Sequence, residues 1–329
     1  MMTTLFRSLK AGAAAVAISA SASMAMAGEI TLYTSQPEAD AAKTVERFQA
    51  ANPGVTVQVY RSGTSDILSK LAAEFSAGAP QADVLFIADA VSMELLKGQD
   101  RLLAYPEAKV DGLASDAYDA DKTYFGSKLI TSGIAYHSEA AEKPQTWADL
   151  TKPELKGQIV MPSPLYSGAA ALLLSTFVGD ESKGWDYFEK LKANELIAVR
   201  GNGAVLKSIS SGEKPYGILV DFMALNAKAK GTPIEFVFPD EGVIAVTEPV
   251  AIMKTSDNVE DAKKFIDFII GEEGQKLALE QGYLPANASV GRPAWLPEGV
   301  DVKIMPFDIQ KVISATEADK AKFGEMFGG

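Results

Sequence analysis

The chain of 329 residues contains no cysteine and one histidine, His137. Without cysteine there is no disulfide, no thiol nucleophile, and no cysteine-ligated metal or iron–sulfur centre. A single histidine confines imidazole acid–base chemistry and metal ligation at neutral pH to one position. There is no G-x-S-x-G elbow and no P-loop. Beyond the N-terminal stretch no run of about 18 uncharged apolar residues could span a bilayer. Basic residues are the minority charge, 31 Lys and Arg against 43 Asp and Glu, which argues against nucleic acid and anionic lipid as partners.

What is present begins with an export signal. Arg7 and Lys10 precede an apolar Ala/Val/Ile run that ends in Ala25, Met26 and Ala27, an A-x-A cleavage pattern, so residues 1–27 read as a secretory signal peptide and the mature chain is expected in the periplasm. Cleavage would leave 329 − 27 = 302 residues carrying 29 − 43 = −14 formal charges. Apolar residues make up 47% and charged residues 22%, an ordinary globular composition, and a length near 300 suits two lobes better than one core. No internal repeat, low-complexity tract or heptad pattern is seen.

Strand and helix patterns alternate along the chain. Ile30–Tyr33 reads as a strand, followed by the polar turn Thr34, Ser35, Gln36, Pro37 and a helix carrying Ala42, Val45 and Phe48. Val55–Tyr60 alternates as a strand does, and Ser62, Gly63, Thr64 and Ser65 lead into a helix with Ile67, Leu68, Leu71 and Phe75 on one face. The apolar run Val84–Ile87 reads as a buried parallel strand ending at Asp89. After a proline-marked segment, Pro144–Pro153, the alternation restarts. Gln158–Met161 is a strand; Pro162, Ser163, Pro164 and Tyr166 form a turn; and a helix begins near Ser167 with Gly168 and Ala169 in its first turn. Leu196–Val199 precedes a turn with Asn202, and Tyr216–Val220 ends at Asp221. Val243–Met253 is long enough to cross between lobes near Thr247, Glu248 and Pro249. Residues after Gly282 are expected to wrap the first lobe.

Such alternation predicts an α/β fold whose ligands bind outside the carboxyl ends of parallel strands, and each polar turn above lies at such an end. The turn before Ser167 has the makings of an anion site, because free N–H groups and the positive helix dipole meet there. Ser167 serving only as a helix cap is the plainer reading.

The stretches ITLYTSQPEADAAKTVERFQAANPGVTVQVYRSGTSDILSKLAAE, ADVLFIAD, TSGIAYHS, PQTWADLTKPELKGQIVMPSP and GEKPYGILVDF resemble the ferric-ion, phosphonate and sugar-phosphate branch of the periplasmic solute-binding proteins of ABC importers. The resemblance covers essentially the whole mature chain. It implies a two-lobed type II periplasmic-binding-protein fold, with two mostly parallel sheets joined by two crossing strands. The expected lobes are 28–131 with 249–329, and 132–248. It further implies a monomer without cofactor or catalytic activity, delivering a small molecule to an inner-membrane ABC permease.

Departures from the ferric pattern narrow the ligand. Iron-binding relatives place two adjacent tyrosines after the strand matching Tyr216–Val220, whereas this chain has Phe222 and Met223, so no metal site is expected. The expected contacts are Thr34, Ser35, Gln36, Ser62, Thr64, Ser65, Asp89, Ser132, Tyr166, Ser167, Gly168, Ala169, Asn202, Asp221 and Glu248. Hydroxyls and backbone N–H groups suit a phosphonate, and a carboxylate suits an ammonium group. A ligand such as 2-aminoethylphosphonate carries both, with Asp221, and Asp89 or Glu248, receiving the amine. A sugar phosphate, a polyamine or ferric ion are the alternatives, and an exported hydrolase a remote one.

Overall fold

The structure, a computed structural model, describes residues 28–115, 117–296 and 301–328. The export signal read in residues 1–27 lies outside the described residues. The chain opens with β1 (Gly28–Thr34), α1 (Glu38–Ala51), β2 (Val55–Arg61), α2 (Thr64–Ser76), β3 (Val84–Phe86), α3 (Ala90–Gly98), β4 (Leu102–Leu103) and β5 (Phe125–Gly126). It continues through β6 (Lys128–His137), β7 (Ile159–Pro162), α4 (Gly168–Gly179), α5 (Gly184–Ala193), β8 (Ile197–Val199), α6 (Asn202–Ser210), β9 (Tyr216–Val220), α7 (Asp221–Ala229), β10 (Ile234–Val237) and β11 (Ile244–Val246). Then come β12 (Pro249–Met253), α8 (Val259–Ile270), α9 (Glu272–Glu280), β13 (Leu284–Pro285) and α10 (Ile309–Phe327).

Two sheets result. The first runs β2-β1-β3-β12-β4, with β5 also on β12; the second runs β10-β6-β9-β7-β8, with β11 and β13 also on β6. The strands alternate residues between two covered faces, as a sheet buried on both sides requires. Leu32, Val84, Phe86, Val250 and Ile252 join Phe48 and Phe265 on one face of the first sheet. Their neighbours Tyr33, Leu85, Ile87, Ala251 and Met253 join Ile67 and Met93 on the other. The second sheet repeats the plan, with Ile134, Met161 and Ile218 on one face and Ala135, Val160 and Leu219 opposite.

Both sheets are mixed rather than mostly parallel. β1, β2 and β3 run parallel, as do β7, β8 and β9, but β12 opposes β3 and β6 opposes β9, β10, β11 and β13. The antiparallel strands are those next to the crossings, where a strand leaving one sheet enters the other from its far end. Pairing changes sheet between Gly126 and Lys128 and again between Val246 and Pro249, so the first crossing falls a few residues earlier than position 131. The crossings lie side by side, joined by Ser127 N–H to the Thr247 carbonyl at 3.1 Å and Ser127 Oγ to the Glu248 carbonyl at 2.8 Å.

The chain after Gly282 only partly wraps the first lobe: β13 packs on α9, where Asn287 N–H donates to Gln275 Oε1 at 2.8 Å, but the remainder turns to the second lobe. β13 pairs β6, Val243 bridges Ile304, and α10 packs along α4 and touches α3. The cause is apolar: α4 is buried on every side from Gly168 to Phe177, and Val312 and Phe323 of α10 belong to the same core as Leu173 and Phe188. The Phe323 ring meets Phe188 edge-on at 6.1 Å. Replacing fully buried Phe323 with alanine is therefore expected to destabilise the chain by about 3–5 kcal/mol in urea unfolding. A loss below about 1 kcal/mol would show that α10 is dispensable to this core.

Candidate functional site

The carboxyl ends of β1, β2 and β3 face those of β7, β8 and β9 across the gap between lobes. Between them lies a cleft of about 270 Å³. It is lined from the first lobe by Ser35, Pro37, Glu38, Arg61, Gly63, Thr64 and Ala88, and from the second by Ile130, Tyr166, Ser167, Gly168, Ala169, Gly201, Asn202, Gly203, Val220, Phe222 and Met223. Glu248 at the crossing and Tyr283 complete it.

The turn before α4 is built by hydrogen bonds. Ser163 N–H donates to the Val199 carbonyl at 2.8 Å, Tyr166 and Ser167 N–H groups donate to the Ser163 carbonyl at 3.1 and 2.9 Å, and Leu165 N–H reaches Ser163 Oγ. Ser167 is the cap: its Oγ accepts from Ala170 N–H at 3.3 Å. The capping role and a place in the cleft coexist, since Gly168 and Ala169 present their backbone to the same space. Opposite stands Arg61, whose Nε donates to the Gln36 carbonyl at 2.7 Å and whose Nη1 donates to Tyr166 Oη at 3.2 Å. Apart from Glu248 Oε2, which pairs with Lys128, three buried polar atoms of lining residues have no hydrogen-bond partner among the described residues: Ser35 Oγ, Thr64 Oγ1 and Asn202 Oδ1. Unpartnered buried polar atoms are rare in folded chains because each costs free energy; these three share one cleft, while others lie elsewhere, as at Arg101, Ser175 and Ser210.

Of the residues expected at the site, Ser35, Thr64, Tyr166, Ser167, Gly168, Ala169, Asn202 and Glu248 line the cleft. The others do not, and each has a local occupation. Thr34 is buried with its Oγ1 accepting from Gln36 N–H, and Gln36 lies behind the cleft beside Lys128 and Gln281. Ser62 Oγ donates to Asp66 at 2.7 Å, and Ser65 faces an outer groove of α2 and α10. Ser132 sits in β6 between Val220 and Ile244. Asp89 caps α3, accepting from Ser92 N–H at 2.6 Å. Asp221 accepts from Thr131 Oγ1 at 2.8 Å and from Phe222 N–H at 2.7 Å.

The lining residues that the sequence reading left out include Arg61, Glu38 and Tyr283. Arg61 ends its strand as the polar turns do, so its position was the available signal. Nothing near Tyr283 in sequence connects it to residues 35–64.

The carboxylates are electrostatically distinct. Glu248 pairs with Lys128 at 2.6 Å, both side chains 2% exposed; burial raises the carboxyl's pKa and Lys128 opposes it. Asp221 has no ion-pair partner among the described residues, and burial pushes its carboxyl up to about 6 against a few hydrogen bonds that favour the charge. No cluster of three or more His, Cys, Asp or Glu able to hold a metal occurs among the described residues. Phe222 and Met223 face the cleft where the ferric pattern has phenolates.

Two α/β lobes that meet at paired crossings and enclose a small cleft of mixed polar and apolar lining have the form of a two-lobed solute-binding protein. The chain belongs to the family of bacterial extracellular solute-binding proteins, whose sequence profile matches residues 79–311. It is 27% identical to a "Probable ABC transporter periplasmic-binding protein" of Sinorhizobium fredii over 74% of this chain and 70% of that one. It is 25% identical to a "Putative 2-aminoethylphosphonate-binding periplasmic protein" of Salmonella typhimurium over 81% and 85%. Its fold matches the periplasmic binding protein AfuA of Actinobacillus pleuropneumoniae, solved with fructose-6-phosphate, with a TM-score of 0.81 and 24% identity over 91% and 98% of the two chains.

The raised Asp221 carboxyl gives a signed pH effect. A group protonated more readily when folded favours folding below its unfolded value of 3.8, and that advantage is lost as pH rises through about 6. About two pKa units correspond to about 3 kcal/mol. Relative to Asp221→Asn, the parent chain is therefore expected to lose stability between pH 4 and 7 and to hold a constant difference above pH 7. Thermal unfolding of both proteins across that range checks it, and a pH-independent difference would refute it.

Proposed function

We propose that this chain is the periplasmic solute-binding component of an ABC importer and captures a small organic phosphonate or phosphate. The observation that carries this reading is the convergence of the α4 N-terminus, the Arg61 guanidinium and the hydroxyls of Ser35 and Thr64 on one cleft. Those groups would surround a tetrahedral oxyanion with N–H, guanidinium and O–H donors, which bind such anions strongly when ordered beforehand. The ABC-transporter and phosphonate names of relatives, and the sugar phosphate held by a protein of the same fold, support it.

Within this class 2-aminoethylphosphonate is the first candidate. Its amine has a narrower choice of partner than the sequence suggested. Asp89 and Asp221 are engaged outside the cleft and Glu248 is neutralised by Lys128, which leaves Glu38, exposed at the first turn of α1, as the acidic lining residue without an ion pair among those described. A sugar phosphate is the second reading, favoured by the same fact, because it needs an anion site and hydroxyl partners but no carboxylate. Ferric ion lacks the adjacent tyrosine pair, and the tyrosines that do line the cleft are engaged, Tyr166 by Arg61 and Tyr283 by Asp40. A polyamine would need several free carboxylates around the cleft.

Calorimetric titration with 2-aminoethylphosphonate, glucose 6-phosphate, putrescine and ferric citrate separates these readings. Heat with either of the first two is expected, and binding of putrescine or ferric citrate alone would sink the proposal. Arg61→Ala is expected to weaken binding of the phosphorus compound by tenfold or more, the size of a lost hydrogen bond to a charged group. An unchanged Kd would remove Arg61 from the site.

A further inference from the structure

Tyr166 belongs to the second lobe but is held by the first. Its carbonyl accepts from Ser65 N–H at 3.5 Å and its hydroxyl from Arg61 Nη1 at 3.2 Å, both across the gap. Its ring lies against Gly63 so closely that a Cβ there would stand 2.5 Å from the Tyr166 carbonyl oxygen and 2.6 Å from the ring. Gly63 does not need to be glycine for its own backbone: with φ −70° and ψ 157° it sits in extended space open to any residue. The opposite edge of the ring is backed by Gly201, at φ +83°, where a Cβ would be 2.9 Å away.

The fit is reciprocal. Gly168 of the second lobe receives Asp89 and Thr64 of the first, whose Oδ2 and Oγ1 would lie 2.3 and 2.9 Å from a Cβ on Gly168. Arg200 stacks on the Tyr166 ring at 4.5 Å and pairs with Asp66 at 2.7 Å, again from lobe to lobe. With Arg200 at 71% and Asp66 at 39% side-chain exposure, the ion pair is a weak contributor, and the seating of the ring is the larger one.

We propose that Tyr166 is a positioning residue that holds the two lobes closed without any ligand, its ring and carbonyl seated on Gly63 of the opposite lobe. The ligand then enters a population already biased towards closure and needs to supply only part of the closing free energy. The same contact fixes the Arg61 guanidinium at the cleft, so closure and assembly of the cationic wall are one event. None of these contacts involves a ligand, so the inference stands or falls independently of what the cleft binds.

Small-angle X-ray scattering of the full mature chain, stripped of ligand by unfolding and refolding, tests it. A compact chain of about 300 residues has a radius of gyration of roughly 19 Å. The wild-type protein is expected near that value. Gly63→Val, which blocks the seat, and Tyr166→Ala, which removes the ring, are each expected to raise the radius by a few per cent. Far-UV circular dichroism should remain unchanged in both, since Gly63 is extended and Tyr166 lies in a turn. Equal radii in all three proteins, whether compact or expanded, would overturn the proposal.

Discussion

Two stretches of backbone lie side by side where the chain passes between lobes, and a buried ion pair joins them. Lys128 starts one and Glu248 ends the other, 2.6 Å apart and out of water, with the Lys128 ammonium 3.8 Å from the centre of the Tyr283 ring. Glu248 adopts φ +37°, an uncommon value for a residue with a side chain, which turns the second crossing into β12. Buried pairs often add little net stability, yet loss of one partner strands the other charge at a cost of about 3–5 kcal/mol. What such a pair supplies is geometry. It fixes the point about which the lobes are aligned, and it does so next to the cleft, since Glu248 and Tyr283 are among the lining residues.

From that alignment follows the electrostatic character of the site. The N-terminal turn of α4 and Arg61 bring positive potential from opposite lobes, while Glu248, which would oppose them, is neutralised within the crossing. On the proposed reading, the cleft of this acidic chain holds an anion between the α4 turn and Arg61, with Glu38 as the unpaired lining carboxylate among the described residues. Net charge governs solubility and long-range steering, whereas the ligand meets only the few groups within hydrogen-bond reach.

Much of the fold was legible in the sequence, because burial on both faces leaves a strong imprint. The strands from Val55 and from Tyr216 follow directly from alternating and apolar runs, and the turn before Ser167 follows from its prolines, serine and glycine. What escaped was partnership. Strand direction depends on how the crossings enter each sheet, which no local pattern records, so the sheets read as mostly parallel. The site suffered the same limit: Asp89 and Asp221 stand at strand ends as ligand contacts would, but each carboxylate turns to a backbone N–H nearby. Arg61 was visible at its strand end, yet its approach to Tyr166 spans 105 residues.

The placement of α10 bears on how the protein reaches its native state. The first sheet is incomplete until β12 arrives more than a hundred residues after β3, and the second lobe's core lacks Val312 and Phe323 until nearly the last residues emerge. Neither lobe is a contiguous segment that could complete its core before the later elements are made. Loop closure over such separations slows folding and leaves strand edges uncovered meanwhile. The consequence of this topology is that both lobes depend on the C-terminal third of the chain for their cores.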